Sequence, residues 1–151
     1  IASLSQWDGK TIGVTGASQG GFLSLAVAAL DKRITFLGVV HDAMCDYSAE
    51  VHGVAGGWPH YFYKNTDKSL KVKVDASMYY DGVNFARRIN VPGWYSFGYN
   101  DEVVPPTSSY GLYNIVTAPK KLSVYQQTGH YWYQEQWDEW QNYIKEHLNV
   151  K

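Results

Sequence analysis

The feature that most constrains this chain is Gly16-Ala17-Ser18-Gln19-Gly20, which follows the β-branched run of residues 10–15 and precedes residues 22–30, apolar on nearly every face. A short apolar run, a glycine-flanked serine and a long apolar segment read as buried strand, tight turn and buried helix. Glycines two positions either side of the serine suit a turn where strand and helix come close. The serine hydroxyl is then held out at the top of the strand. The helix N-terminus behind it adds partial positive charge, and the amide of Gln19 becomes a hydrogen-bond donor for a developing oxyanion.

The rest of the chain repeats that alternation. Residues 36–40, 93–98 and 121–125 are the next strand candidates. Residues 78–89, 107–116 and 131–148 are the helical ones, and in the last Tyr133, Trp137, Trp140, Ile144 and Leu148 fall at helical spacing as a core-facing stripe. The predicted order β-α-β-α-β-α-β-α is that of an α/β fold with a parallel sheet covered on both faces. Residues 42–77 interrupt the pattern with little periodicity and are expected to form a functional loop or cap. With no repeat or linker, residues 1–151 read as one structural unit.

Composition excludes several classes of function. A formal net charge of −1 leaves no basic stripe for nucleic acid, and no apolar run is long enough to cross a bilayer. One cysteine, Cys45, cannot make an intrachain disulfide or a cysteine-rich zinc site, and it reads as a buried, inert thiol. The 13 Tyr, 6 Trp and 5 Phe favour a protein with a ligand cleft. Trp58, Tyr61, Phe62 and Tyr63 suit either packing of the insertion or a sugar-stacking wall. His41, His52 and His60 lack helical metal-ligand spacing and read as polar loop residues, so no metal or cofactor is expected. Lys120 and Lys121 read as solvated charge beside a strand.

A serine nucleophile needs a base, and the base needs an orienting group. Asp101 lies just after the third predicted strand and His130 just after the fourth, with Glu102 and Asp46 as rival acids. The chain order Ser18, Asp101, His130 is that of the α/β-hydrolases, and all three fall at strand C-terminal ends, where parallel sheets place their sites.

These residues resemble the C-terminal half of the acetyl xylan esterase and cephalosporin-C deacetylase family, carbohydrate esterase family 7. Its G-x-S-Q-G-G elbow is matched by Gly16 to Gly21, its Cys-Asp-aromatic step by Cys45-Asp46-Tyr47, and its G-x-x-D-x-x-x-P-P loop by Gly98 to Pro106. Tyr113-Asn114 and Gly129-His130 fit as well, so the likeness runs over most of residues 7–147 and is weakest across 47–77. Val104 stands where the family often has cysteine, and Tyr131 where it often has an acid.

The resemblance implies an α/β-hydrolase sheet, C-terminal portion only, with Ser18 as nucleophile, His130 as base, Asp101 as orienting acid and the Gln19 amide as one oxyanion donor. It implies deacetylation of xylan or xylo-oligosaccharides, without cofactor, in a secreted or periplasmic setting. The family's first strands and second oxyanion donor have no counterpart before Ile1. An N-terminal half or a second chain, a homo-oligomer included, is therefore expected to complete the sheet at the edge around Ile12 and Val14. Two alternatives share the scaffold: a serine peptidase of the prolyl oligopeptidase type, and a catalytically idle carbohydrate-binding module.

Overall fold

Four parallel strands in the order β1-β2-β3-β4 form the sheet: β1 Gly13–Ala17, β2 Phe36–Val40, β3 Gly93–Gly98 and β4 Lys120–Tyr125. The computed structural model describes residues 1–62 and 70–149. Helices α1 Gln19–Leu30, α2 Leu70–Ser77, α3 Gly82–Ala86, α4 Pro106–Ile115 and α5 Gln134–Leu148 connect or follow the strands, with 3-10 turns at Tyr47–His52 and Met78–Tyr80.

Every residue of β2 and β3 is buried, as unbroken apolar runs require of central strands covered on both faces. Leu37, Val39 and Tyr95 join Leu25, Ala28, Ala86 and Leu112 on one face, while Phe36, Val40 and Trp94 meet Tyr143, Trp140 and Ile144 on the other. Pro92 enters β3 without needing an N–H, and its carbonyl accepts from the Leu37 amide at 3.0 Å. Pro106 opens α4 at a position where the missing N–H costs nothing.

Several predicted boundaries shift for local physical reasons. β1 runs to Ala17 rather than stopping at Gly16, and α1 begins at Gln19. The helix predicted over residues 78–89 is broken, because buried Asp81 is extended and its carboxylate accepts the amides of Asp46, Tyr47 and Val83 at 2.9 Å each. That one side chain caps α3 and ties it to the insertion. The insertion itself holds α2 and a 3-10 turn, so it is less irregular than its sequence suggests.

The stripe on α5 is also displaced. Trp137 and Leu148 are exposed, whereas Gln136 and Tyr143 are buried. Gln136 Nε2 donates to Ser96 Oγ at 2.8 Å, and Glu139 accepts from Ser123 Oγ and, at 3.1 Å, from Tyr125 Oη. Polar anchors set the rotation of the helix, and hydrophobic spacing does not record them. Lys120 is not solvated charge: its Nζ donates to the carbonyls of Tyr113 and Val116, both at 2.7 Å, and caps the C-terminus of α4.

Among the described residues β1 pairs with β2 alone and stands at an edge of the sheet, as expected, but Ile12, expected to be exposed there, is buried in the core and Val14 packs against it. On α1, which packs against β1, Leu23, Val27 and Leu30 are 54%, 43% and 64% accessible.

Candidate active site

The turn between β1 and α1 places Ser18 at φ 56°, ψ −123°, a conformation that costs a non-glycine residue about 1–3 kcal/mol. Surrounding bonds hold it there. The Ser18 amide donates to the Val40 carbonyl at 2.8 Å, and its carbonyl accepts from Phe22 at 3.2 Å and Ala43 at 3.3 Å. The serine is thus clamped between α1 and the end of β2. Gln19, the first residue of α1, carries an N–H with no helical acceptor, beside the Ser18 hydroxyl.

The glycines of the elbow differ in what they permit. A Cβ on Gly16 would lie 2.3 Å from the Gly20 carbonyl oxygen, and one on Gly21 3.1 Å from that of Val40, whereas one on Gly20 meets nothing within 4 Å. The steric requirement therefore falls on Gly16 and Gly21, not on the Gly20 of the motif. Gly16→Ala is expected to destabilise the protein by about 2 kcal/mol or more, because backbone must move. Gly20→Ala is expected to be neutral or stabilising by up to about 1 kcal/mol, since it removes chain freedom from the unfolded state. Urea melts of the two variants check the contrast.

Asp101 and His130 are brought together by stitched loops. The Asn100 amide donates to the Thr128 carbonyl at 2.9 Å, and the Tyr99 amide to Tyr125 at 3.2 Å. Gly98 makes this approach possible, because a Cβ there would lie 2.0 Å from Thr128 Oγ1.

His130 Nδ1 donates to Asp101 Oδ2 at 2.8 Å, and its Nε2 faces Ser18 Oγ at 2.9 Å. The Asp101 side chain is fully buried, while that of His130 is one-quarter exposed. Asp101 Oδ1 accepts the amides of Val103 at 3.0 Å and Val104 at 2.8 Å. Burial pushes the Asp101 carboxyl up, but hydrogen bonds from His41, the Val104 amide and His130 outweigh it and hold the carboxyl below its ordinary value. With Nδ1–H directed at a carboxylate, Nε2 is free to accept the serine proton. The imidazole bridges hydroxyl and acid in the geometry of a nucleophile, base and orienter.

The rival acids lie elsewhere. Glu102 is exposed, and Asp46 occupies the N-cap position of the Tyr47–His52 turn. Cys45 is buried with its Sγ 3.4 Å from the Ala43 carbonyl, and burial, together with the Asp42 and Asp81 carboxylates, pushes its thiol well up, away from reactivity. Phe62 is buried, whereas Trp58 and Tyr61 are largely exposed. Tyr61 lies tilted against Tyr47, with ring centroids 5.5 Å apart. Tyr63 lies outside the described residues. His60 bridges Glu50, at 2.9 Å, to the Val103 carbonyl, at 3.2 Å, and so links the insertion to the Asp101 loop. His52 is exposed at the end of its turn.

His41 departs furthest from expectation. It lies in the loop directly after β2, as the sequence suggests, but it is buried there, with Nδ1 3.1 Å from Asp101 Oδ2. Position could have singled it out: the reasoning that selects residues at strand C-terminal ends applies equally to the residue after β2. Among the described residues, His41, Asp101 and His130 form the group whose ligand-type atoms all lie within 4.8 Å of one another, but both Nδ1 atoms are turned to a single carboxylate oxygen.

The chain is similar to known proteins over most of its length. The family model described as Acetyl xylan esterase (AXE1) matches residues 1–147. Acetyl esterase Axe7A of Xylanibacter ruminicola is 47% identical over 121 residues, covering 80% of this chain and 27% of that protein. The acetyl xylan esterase from Paenibacillus sp. R4 superposes with a TM-score of 0.85 at 26% identity, covering 97% of this chain and 48% of its own. Acetyl xylan esterase 1 from Thermoanaerobacterium sp. JW/SL YS485 gives a TM-score of 0.79 at 26% identity, with the same coverage of both chains. The chain thus spans about a quarter of the curated relative and about half of the solved ones. With an α/β-hydrolase sheet and a family match over nearly its whole length, the chain belongs to the acetyl xylan esterase family.

Proposed function

We propose that this chain carries the nucleophile, base and acid of a serine esterase that removes acetyl groups from xylan or xylo-oligosaccharides. The observation that carries the reading is the His130 imidazole set between Ser18 Oγ, at 2.9 Å, and Asp101 Oδ2, at 2.8 Å. Ser18 Oγ attacks the acetyl carbonyl carbon as His130 Nε2 takes its proton. The oxyanion forms against the Gln19 N–H and the positive end of α1. His130 returns the proton to the departing sugar oxygen, leaving an acetyl ester on Ser18. Water, deprotonated by the same imidazole, then attacks the acetyl carbon, the bond to Ser18 Oγ breaks, and His130 returns the proton to Oγ as acetic acid is released, to ionise to acetate in solution. Asp101 stays ionised throughout and fixes the tautomer of His130.

The substrate class rests on family membership and on the names of the relatives. The check is acetate release from acetylated xylo-oligosaccharides beside cleavage of peptide p-nitroanilides, using the full polypeptide. Acetate release without peptide cleavage is expected, and peptide cleavage alone overturns the assignment.

We further propose that the outer edge of β1 and the Leu23, Val27 and Leu30 face of α1 are covered by additional sheet and helix, supplied by other sequence of the same polypeptide or by a second chain. An unpaired parallel strand beside exposed apolar side chains invites pairing. Residues 1–151 produced alone are expected to self-associate in light scattering. A monomeric segment with full esterase activity contradicts the proposal.

A further inference from the structure

The Asp101 carboxylate has a fourth donor that a Ser-His-Asp arrangement does not require. Its Oδ1 is occupied by the Val103 and Val104 amides, and its Oδ2 receives both His130 Nδ1, at 2.8 Å, and His41 Nδ1, at 3.1 Å. We propose that His41 is a positioning residue for this reaction: by donating to Oδ2 it fixes the plane of the Asp101 carboxylate and the strength with which that carboxylate holds His130. The inference rests on the reading of Ser18, His130 and Asp101 given above.

Three observations make His41 a fixed donor. Its side chain is 3% exposed, its backbone N–H donates to the Ser96 carbonyl at 2.9 Å, and its φ of 47° holds it in the left-handed region. The backbone bond and φ fix the point from which the ring projects, and burial leaves it little room to turn from Asp101. Its other nitrogen, Nε2, is buried and has no partner among the described residues, so the contact this imidazole makes with the site is the one to Asp101. The two rings lie with centroids 5.2 Å apart, both turned to one oxygen. The titratable groups facing His41 are Asp101 on the loop after β3, His130 after β4, and the neighbouring buried Asp42.

Physically, a donor on Oδ2 disperses the carboxylate charge. Without it, the remaining charge concentrates on His130 and holds the protonated imidazole more firmly, so the base becomes protonated at higher pH. Asp101 also loses one of the contacts that fix its orientation, which slows the chemical step without touching the substrate.

Asparagine and glutamine separate a positioning role from a packing one, because an asparagine Nδ2 reaches the place of the imidazole Nδ1 and a glutamine Nε2 does not. Asparagine also tolerates positive φ. With p-nitrophenyl acetate and the full polypeptide, H41Q and H41F are expected to lose about 10- to 100-fold in kcat, with KM changed by less than about twofold. The acid limb of their kcat/KM profile moves to higher pH. H41N is expected to recover kcat to within about fivefold of wild type and to restore the limb.

Melting curves accompany each variant, so that if H41F does not fold the H41N and H41Q pair decides. Wild-type kcat and an unmoved limb in H41Q overturn the proposal, as do equal losses in H41N and H41Q. Ser18→Ala separates the two levels. If that variant stays active, the underlying reading falls and this one with it; if it is inactive while H41Q behaves as wild type, only the role of His41 is overturned.

Discussion

Replacing Ser18 by alanine is expected to lower kcat on a small acetyl ester by about 10⁴- to 10⁶-fold in the full polypeptide, while stability changes by about 1 kcal/mol or less. The loss is large because Oγ is the atom that forms the acyl bond, and no other hydroxyl is described within reach of His130 Nε2. The stability change is small because the elbow is held by backbone bonds to Val40, Phe22 and Ala43, none of which uses the side chain. Rates on p-nitrophenyl acetate, read beside a thermal melt, check both halves. Activity within tenfold of wild type would remove Ser18 from the mechanism.

Asp101→Asn and His130→Ala are each expected to cost about 10⁴-fold, and the double variant to be scarcely slower than the worse single one. Asparagine serves better than alanine at position 101 because its oxygen can still accept the Val103 and Val104 amides, which alanine would strand. Its NH₂ would instead face two imidazole Nδ1 atoms that now donate, forcing His130 into the wrong tautomer. Losses that multiply would show that the two residues act independently. The lowered carboxyl of Asp101 adds a pH sign: its stabilising contribution is full above the ordinary carboxylate value of about 4 and is lost as pH falls through its lower folded value. Wild type is therefore expected to lose stability over that acid range more steeply than Asp101→Asn, as melts at stepped pH can read.

Much of this architecture is legible in the sequence because it is carried by apolar continuity and glycine placement. The runs at β2 and β3 announce central strands, and Ser18, Asp101 and His130 announce themselves by standing at strand ends. What stays hidden is polar and buried. Asp81 breaks a helix by gathering the distant amides of Asp46 and Tyr47 as well as the nearby one of Val83, and Gln136 rotates α5 by reaching Ser96. Neither leaves a mark in hydrophobic periodicity. Lys120 resembles any surface lysine until the C-terminus of α4 is seen to end against it. Metal-ligand spacing does not single out His41, although its place after β2 carries the same positional signal as those of Asp101 and His130.

The central claim is that one serine, and only that serine, is activated by an imidazole held on a carboxylate. Intact mass after treatment with an organophosphonate or a sulfonyl fluoride tests this most directly, because such reagents trap an activated hydroxyl whatever the natural acyl group. A single adduct is expected on the full polypeptide, mapped to Ser18, absent in Ser18→Ala and greatly slowed in His130→Ala. An unmodified wild-type mass, or an adduct of equal extent in Ser18→Ala, would contradict that claim.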